Sequence, residues 1–142
     1  MTDLDIQLDL DPDKASIDRL SAGLNQHSSA FVEQSGFDPI ALFAYEGAEL
    51  RGGIYGLINW NWLSVSLLWV DEGTRGSGLG TELLERLESE AVARGCVYSH
   101  VDTFSFQAED FYRRHGYEPF AELADYPPGH RRIYFRKALG LV

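Results

Sequence analysis

The most constraining stretch of this sequence is Arg75-Gly76-Ser77-Gly78-Leu79-Gly80-Thr81. Before it, Trp62–Val70 has strand character. After it, Leu83, Leu84, Leu87 and Ala91 fall on one face of a helix over Thr81–Arg94, with Gly95 as its C-terminal stop. A glycine-rich turn between a strand and an amphipathic helix has a chemical use. Without side chains in the way, backbone N–H groups converge on an anion, and the positive end of the helix dipole adds to their field. Phosphate is the natural guest, with Arg75 adding a delocalised cation and Thr81 a hydroxyl. Glu82 and Glu85 suit the first turn when no ligand is bound. A Walker loop would need a lysine before Thr81, and Gly80 stands there. A dinucleotide fingerprint would place its third glycine one residue later and would open a first βαβ unit. The plain alternative is a tight turn that binds nothing.

The chain around this junction reads as one domain over residues 1–142, with no repeat, linker or low-complexity tract. Leu4, Ile6 and Leu8 alternate with Asp3, Asp5, Gln7 and Asp9, which predicts a first strand over residues 3–9. Asp11-Pro12 has the form of an N-cap and first-turn proline, so a helix should follow. Ile17, Leu20, Leu24 and Phe31 mark its buried stripe, or that of a short second helix. Three strands, Ile40–Tyr45, Leu50–Asn59 and Trp62–Val70, form a meander through the turns Glu46-Gly47 and Asn59–Asn61. Beyond Gly95 come a strand over Val97–Thr103, a helix over Gln107–His115, and a strand pair, Tyr117–Glu122 and Arg131–Lys137. The order β-α-(α)-β-β-β-α-β-α-β-β predicts an α/β chain, a mixed sheet flanked by helices.

Composition excludes several functions. Twelve Lys and Arg against twenty-two Asp and Glu give a net charge of −10, which repels nucleic-acid backbones and anionic membrane surfaces. The longest apolar runs, such as Leu67-Leu68-Trp69-Val70, are far short of a bilayer span, and no leader pattern opens the chain. A single cysteine, Cys96, and histidines at His27, His100, His115 and His130 match no metal-ligand spacing. The expectation is a cytoplasmic chain with no metal, no nucleic-acid partner and no membrane partner.

Arg-x-x-Gly-x-Gly between a strand and a helix, as in Arg75–Gly80, resembles the pyrophosphate-binding motif of the GCN5-related N-acetyltransferase superfamily. Ala108-Glu109-Asp110-Phe111-Tyr112-Arg113-Arg114-His115-Gly116-Tyr117 resembles that family's second signature, Ala-x-x-x-Tyr-x-x-x-Gly-Phe, with tyrosine for the final phenylalanine. Leu68–Glu72, Asp102–Ala108 and Asp125–His130 look more narrowly like a small single-domain prokaryotic branch. The resemblance covers about residue 40 to the C-terminus, and implies the acyl-CoA N-acyltransferase fold with acetyl-CoA as cosubstrate. By the same resemblance, Arg75, Gly76, Ser77, Gly78, Leu79, Gly80 and Thr81 hold the diphosphate. The pantetheine adds like an extra strand along the main chain of Leu68, Trp69 and Val70, whose side chains pack the core. Ser105, where many members have asparagine, contacts its arm, and Tyr112 lies near the thioester sulfur. Homodimers are common in similar proteins.

Acetyl transfer to an amine needs a neutral nucleophile, a polarised carbonyl and a proton for the departing thiolate. An alkylamine with a pKa near 10.4 costs roughly 4.6 kcal/mol to deprotonate at neutral pH. A phenol near 10 can protonate a thiolate near 8.5 across a mismatch of about 2 kcal/mol, which makes Tyr112 the candidate acid. Asp102 is the candidate base acting through a water, or else a carboxylate capping the next loop; Glu33, His27 and His130 are further candidates. Cys96 follows a helix-stop glycine far along its strand from Thr103 and reads as a buried, inert thiol. That favours direct transfer in a ternary complex over an acetyl-cysteine intermediate. Trp60, Trp62, Phe104, Phe106 and Tyr126 could wall a pocket for a cationic acceptor. The acceptor is an amine of a small molecule or of a protein: an aminoglycoside, a polyamine, an amino-acid derivative and a protein lysine all stay open. The rival from another class is a non-catalytic acyl-CoA-binding or sensing module of the same fold.

Overall fold

A computed structural model describes residues 3–33 and 35–140, which fall into two compact units, Met1–Ser35 and Gly36–Val142. The first contains one helix, α1 (Lys14–Ser28). Residues 3–9 are not a strand. Their alternation supplies an apolar side, but among the described residues of this unit there is no second strand against which their N–H and C=O groups could form a ladder. The helix also starts later than Asp11-Pro12 predicts: Asp13 is the N-cap, its carboxylate accepting from the Ser16 N–H at 2.8 Å. No residue of α1 is buried, so within this unit Ile17, Leu20 and Leu24 form no buried stripe, and Phe31 beyond it is exposed as well.

The second unit carries the sheet. Its elements are β1 (Asp38–Glu46), β2 (Glu49–Asn59), β3 (Trp62–Val70), a 3-10 turn at Glu72–Thr74, α2 (Leu79–Ala93), β4 (Tyr98–Phe104), α3 (Glu109–Arg114), β5 (Glu118–Ala124) and β6 (Arg131–Ala138). The strand order is β1-β2-β3-β4-β6-β5, antiparallel except for β3 against β4. The predicted meander is present, its second turn a two-residue loop with both Trp60 and Asn61 at positive φ, the geometry that matches strand twist. Leu83, Leu84, Leu87 and Ala91 of α2 are buried against Ile54, Leu63, Val65, Val101 and Phe135, and Gly95 (φ 94°) ends the helix as predicted.

Two features of β3 create the site. Tyr55 pairs with Leu67 while Gly56 pairs with Val65, so Ser66 is an extra residue, a bulge. Gly56 sits against it, where a Cβ would lie 2.7 Å from the Ser64 carbonyl oxygen. The bulge reverses which residues face α2: Leu63 and Val65 are buried before it, and Leu68 and Val70 pack on the core after it. Trp69 therefore points outward and is 49% exposed, contrary to the expectation that it packs the core. The parallel pairing with β4 runs only from Trp62↔Tyr98 to Val65↔Val101. Beyond the bulge the strands part.

At the far end of the core, Glu88 is nearly buried yet satisfied, taking Lys137 Nζ at 2.9 Å and the Tyr117 hydroxyl at 2.8 Å. That hydroxyl also bonds Ser99 Oγ at 2.8 Å. Glu88→Ala strands an ammonium and a phenol, and is expected to destabilise the fold by about 2 kcal/mol, with Glu88→Gln costing roughly half as much. Urea unfolding of the two variants checks the difference.

Candidate active site

Where β3 and β4 part, a cleft of ≈ 940 Å³ opens between Val65–Val70, Thr74–Gly76 with Gly78–Thr81 of the glycine loop, Val101–Thr103 and Ser105–Tyr112. It brings together most residues that the sequence singles out. Among the described residues, the β3 edge beyond Val65 has no strand partner on this side, so alternate N–H and C=O groups of Ser66–Val70 are open to an extended ligand. One of these groups is taken: Arg75 Nε donates to the Val70 carbonyl oxygen at 3.2 Å, which anchors the guanidinium at the cleft rim.

The glycine loop has the form that anion binding needs. Gly76 (φ 84°) and Gly78 (φ 86°) are both left-handed, and a Cβ at either would meet nothing within 4 Å. Their lack of side chains therefore serves the backbone turn and an open approach, not close packing. Gly78 is the N-cap of α2 and makes no side-chain cap, which leaves the first-turn N–H groups facing the cleft. Ser77 does not line the cleft, and its hydroxyl donates to the Thr74 carbonyl oxygen at 2.6 Å, which ties the loop back on itself. Gly80 has a different task, lying against Phe111 and Val70 where α2 passes α3. Leu79 is partly buried on the core. The Thr81 hydroxyl, expected to face phosphate, is 2.9 Å from His115 Nε2. Sequence reading passed over His115, although it lies inside the second signature three residues after Tyr112.

Tyr112 is 4% exposed and lines the cleft, and no described protein group hydrogen-bonds its hydroxyl. Burial, with the Asp102 charge adding to it, pushes the phenol up to about 12. The group is therefore a proton-bearing phenol at any working pH. Ser105 lines the cleft. Its Oγ accepts from Arg131 N–H at 3.0 Å, leaving its own proton for a ligand carbonyl.

Asp102 lines the cleft from β4 but caps no loop. Its Oδ2 receives Arg132 Nε at 2.8 Å and Nη2 at 2.6 Å across the β4–β6 ladder. Arg132 in turn donates to the Tyr126 hydroxyl at 3.0 Å and lies over the rings of Tyr126, Phe104 and Tyr134 at 5.0, 5.7 and 5.4 Å. The aromatic residues offered as a pocket wall therefore divide. Phe106 lines the cleft and stacks on Phe104, which stacks on Tyr126, with His130 edge-on to Phe106, but Phe104 and Tyr126 do not line it; Trp62 stacks on Tyr98 at the other end of the sheet. Trp60 does not line the cleft. Of the other proton acceptors, His27 and Glu33 belong to the first unit. Cys96 is 2% exposed and its thiol is pushed up by burial, which disfavours the thiolate an acetyl-cysteine route needs. No group of three metal-binding side chains occurs among the described residues, and no described helix is long and apolar enough to cross a membrane.

A mixed sheet splayed around an uncapped, glycine-built helix start defines the class. The acetyltransferase (GNAT) family model matches residues 9–117, and the chain belongs to that family. Among its relatives, blasticidin-S acetyltransferase of Streptomyces morookaense is 52% identical over 85 residues, 59% of this chain and 62% of that protein. Acetyltransferase Atu2258 of Agrobacterium fabrum is 34% identical over 89 residues, 63% of this chain and 65% of that one. The matches thus span less than two thirds of either curated relative. The crystal structure of an acetyltransferase from Bacillus cereus superposes with a TM-score of 0.85 at 28% identity, covering 94% of this chain and 98% of that one.

Proposed function

We propose that residues 1–142 act as one acetyl-CoA-dependent N-acetyltransferase, moving the acetyl group directly to a primary amine in a ternary complex. The observation that carries this reading is the convergence in one cleft of three groups: an uncapped helix start, an unpaired strand edge and an unpartnered phenol. The Gly76–Thr81 loop with Arg75 holds the diphosphate, and the edge at Leu68–Val70 receives the pantetheine as an added strand, one N–H polarising the thioester carbonyl. Ser105 donates to the arm, and Tyr112 delivers a proton to the leaving sulfur.

Asp102 takes the ammonium proton through a water. Its contact with Arg132 orients the carboxylate at the cleft wall. Asp102→Asn is expected to lower turnover about 100-fold at pH 7. The loss should shrink as pH approaches the amine's own pKa near 10, because the substrate then arrives deprotonated. A pH–rate profile of both forms tests this, and a deficit that stays constant with pH would remove Asp102 from proton transfer.

The acceptor is a small cationic amine. The chain's net charge of −10 attracts one, and Phe106 offers it an aromatic face in the cleft. Blasticidin S is the first acceptor to try, on the strength of the Streptomyces relative. We place the reaction in the cytoplasm, without metal, nucleic-acid or membrane partners. Free-thiol release from acetyl-CoA with blasticidin S, a polyamine, an aminoglycoside and a lysine peptide tests the reading. Release with an amine supports it; acetyl-CoA binding with no release from any amine would leave the binding module instead.

A further inference from the structure

The pair formed by Thr81 and His115 has directional hydrogen bonding that the family chemistry leaves unused. His115 Nδ1 lies 2.7 Å from the Phe111 carbonyl oxygen. A carbonyl only accepts, so Nδ1 carries a proton. In the neutral ring Nε2 is then bare, and Thr81 Oγ1 at 2.9 Å must donate to it. Thr81 is the third residue of α2 and lines the cleft. In this state its proton is committed to the imidazole, and it shows an incoming phosphate oxygen only lone pairs. If Nε2 is protonated, the bond reverses: Nε2–H donates to Oγ1, and the threonine proton is free to point into the cleft. Both ring nitrogens stay satisfied in either state, so no heavy atom has to move.

We infer that His115 is a positioning residue for the diphosphate, taking up one proton as the anion binds and turning the Thr81 hydroxyl toward it. The inference rests on the reading that the α2 N-terminus holds the diphosphate. The proton comes from solvent; the only bond made is Nε2–H, and the only bond reversed is the one to Thr81. The driving force is the anion's own charge beside the ring. Other charges around the imidazole are fixed. On α2 they are Glu85, one turn beyond Thr81 on the same face, Glu82, ion-paired to Arg86, and Glu88, held by Lys137. On α3 they are Asp110, Arg114 and Arg113, the last paired with Glu109. Lys137 of β6 passes close to Gly116, and Arg75 stands on the loop. Among these groups, only the ligand's charge arrives with binding.

The test is calorimetric titration of the whole chain with acetyl-CoA between pH 7.5 and 8.5, in buffers of different ionisation enthalpy. In that range the ligand's 3′-phosphate, with a second pKa of about 6, is already doubly ionised. The expected result is net proton uptake on binding, with Kd rising up to about tenfold per pH unit. In His115→Gln the amide N–H replaces the protonated ring nitrogen, so acetyl-CoA should bind with no uptake and a flat pH dependence. Thr81→Val should weaken binding roughly tenfold. If His115→Gln does not fold, NMR titration of the His115 ring in the native chain, with and without acetyl-CoA, gives the same answer. Tight binding without uptake, uptake unchanged in His115→Gln, or a ring whose titration acetyl-CoA leaves unchanged would overturn the inference while leaving the diphosphate reading intact. Failure to bind acetyl-CoA at all would overturn both.

Discussion

A Gly78→Glu chain is expected to fold and to lose acetyl-CoA affinity by at least about 100-fold. Gly78 is left-handed at φ 86°, so a side chain there costs about 1 kcal/mol in backbone strain, but its Cβ would meet nothing within 4 Å. The new carboxylate would sit at the uncapped start of α2, within reach of the first-turn N–H groups that the diphosphate is proposed to occupy. It would satisfy them itself, offsetting part of the strain, and would repel the incoming anion. The melting temperature should fall by only a few degrees, whereas the titration with acetyl-CoA should go flat. Gly78→Ala separates the two contributions: it keeps the strain without the charge, and should weaken binding by less than tenfold. If the glutamate variant bound as tightly as the native chain, the loop would be no more than a turn.

The sheet was largely legible because its signals are local. Trp62–Val70 is the observed β3 without adjustment, and the other strands and α2 shift by at most a few residues, as frayed ends and caps do. The N-terminal segment was misread for a physical reason. The Leu4, Ile6, Leu8 alternation describes one side of an extended chain, whereas a strand also needs an edge to pair with, and no residue reports that locally. Asp11 and Asp13 both suit an N-cap, and only the reach of Asp13 to Ser16 decides between them. The bulge left a faint trace. Gly52, Gly53 and Gly56 in one strand announce close backbone approach, but which residue of β3 is extra follows from pairing alone.

The candidate site divides along the same line. The loop and Tyr112 were readable because each lies in a contiguous motif whose spacing sets its geometry. The Asp102–Arg132 contact was not, since it depends on β4–β6 register between residues 30 apart in sequence. His115 and Thr81 are separated by 34 residues and meet because Gly80 lets α2 pass close to Phe111. The tryptophans illustrate the converse error. Trp60 and Trp62 share composition with a pocket wall, but the meander carries them to the end of the sheet where β3 and β4 are still paired.

Tyr112→Phe is expected to reduce turnover by about 100-fold or more while leaving acetyl-CoA affinity within a factor of two or three. The variant removes one oxygen that no described protein group hydrogen-bonds, so it leaves no partner unsatisfied and no cavity. With the phenol raised to about 12, its mismatch to an ordinary thiol near 8.5 widens to about 5 kcal/mol. The thiolate would form beside the same buried wall and the same Asp102 charge, and both raise its basicity in parallel, which narrows that gap during the reaction. Two pH consequences follow from the raised value. The native chain should show no alkaline loss of turnover from Tyr112 below about pH 10. Stability should fall above pH 10, because the unfolded phenol ionises there while the native one keeps its proton until about 12. By pH 12 that difference amounts to about 2 kcal/mol, the share of the alkaline loss that Tyr112→Phe should remove. Alkaline unfolding curves of the two proteins measure it, and a turnover equal to that of the native chain would take Tyr112 out of the chemistry while leaving its burial unquestioned.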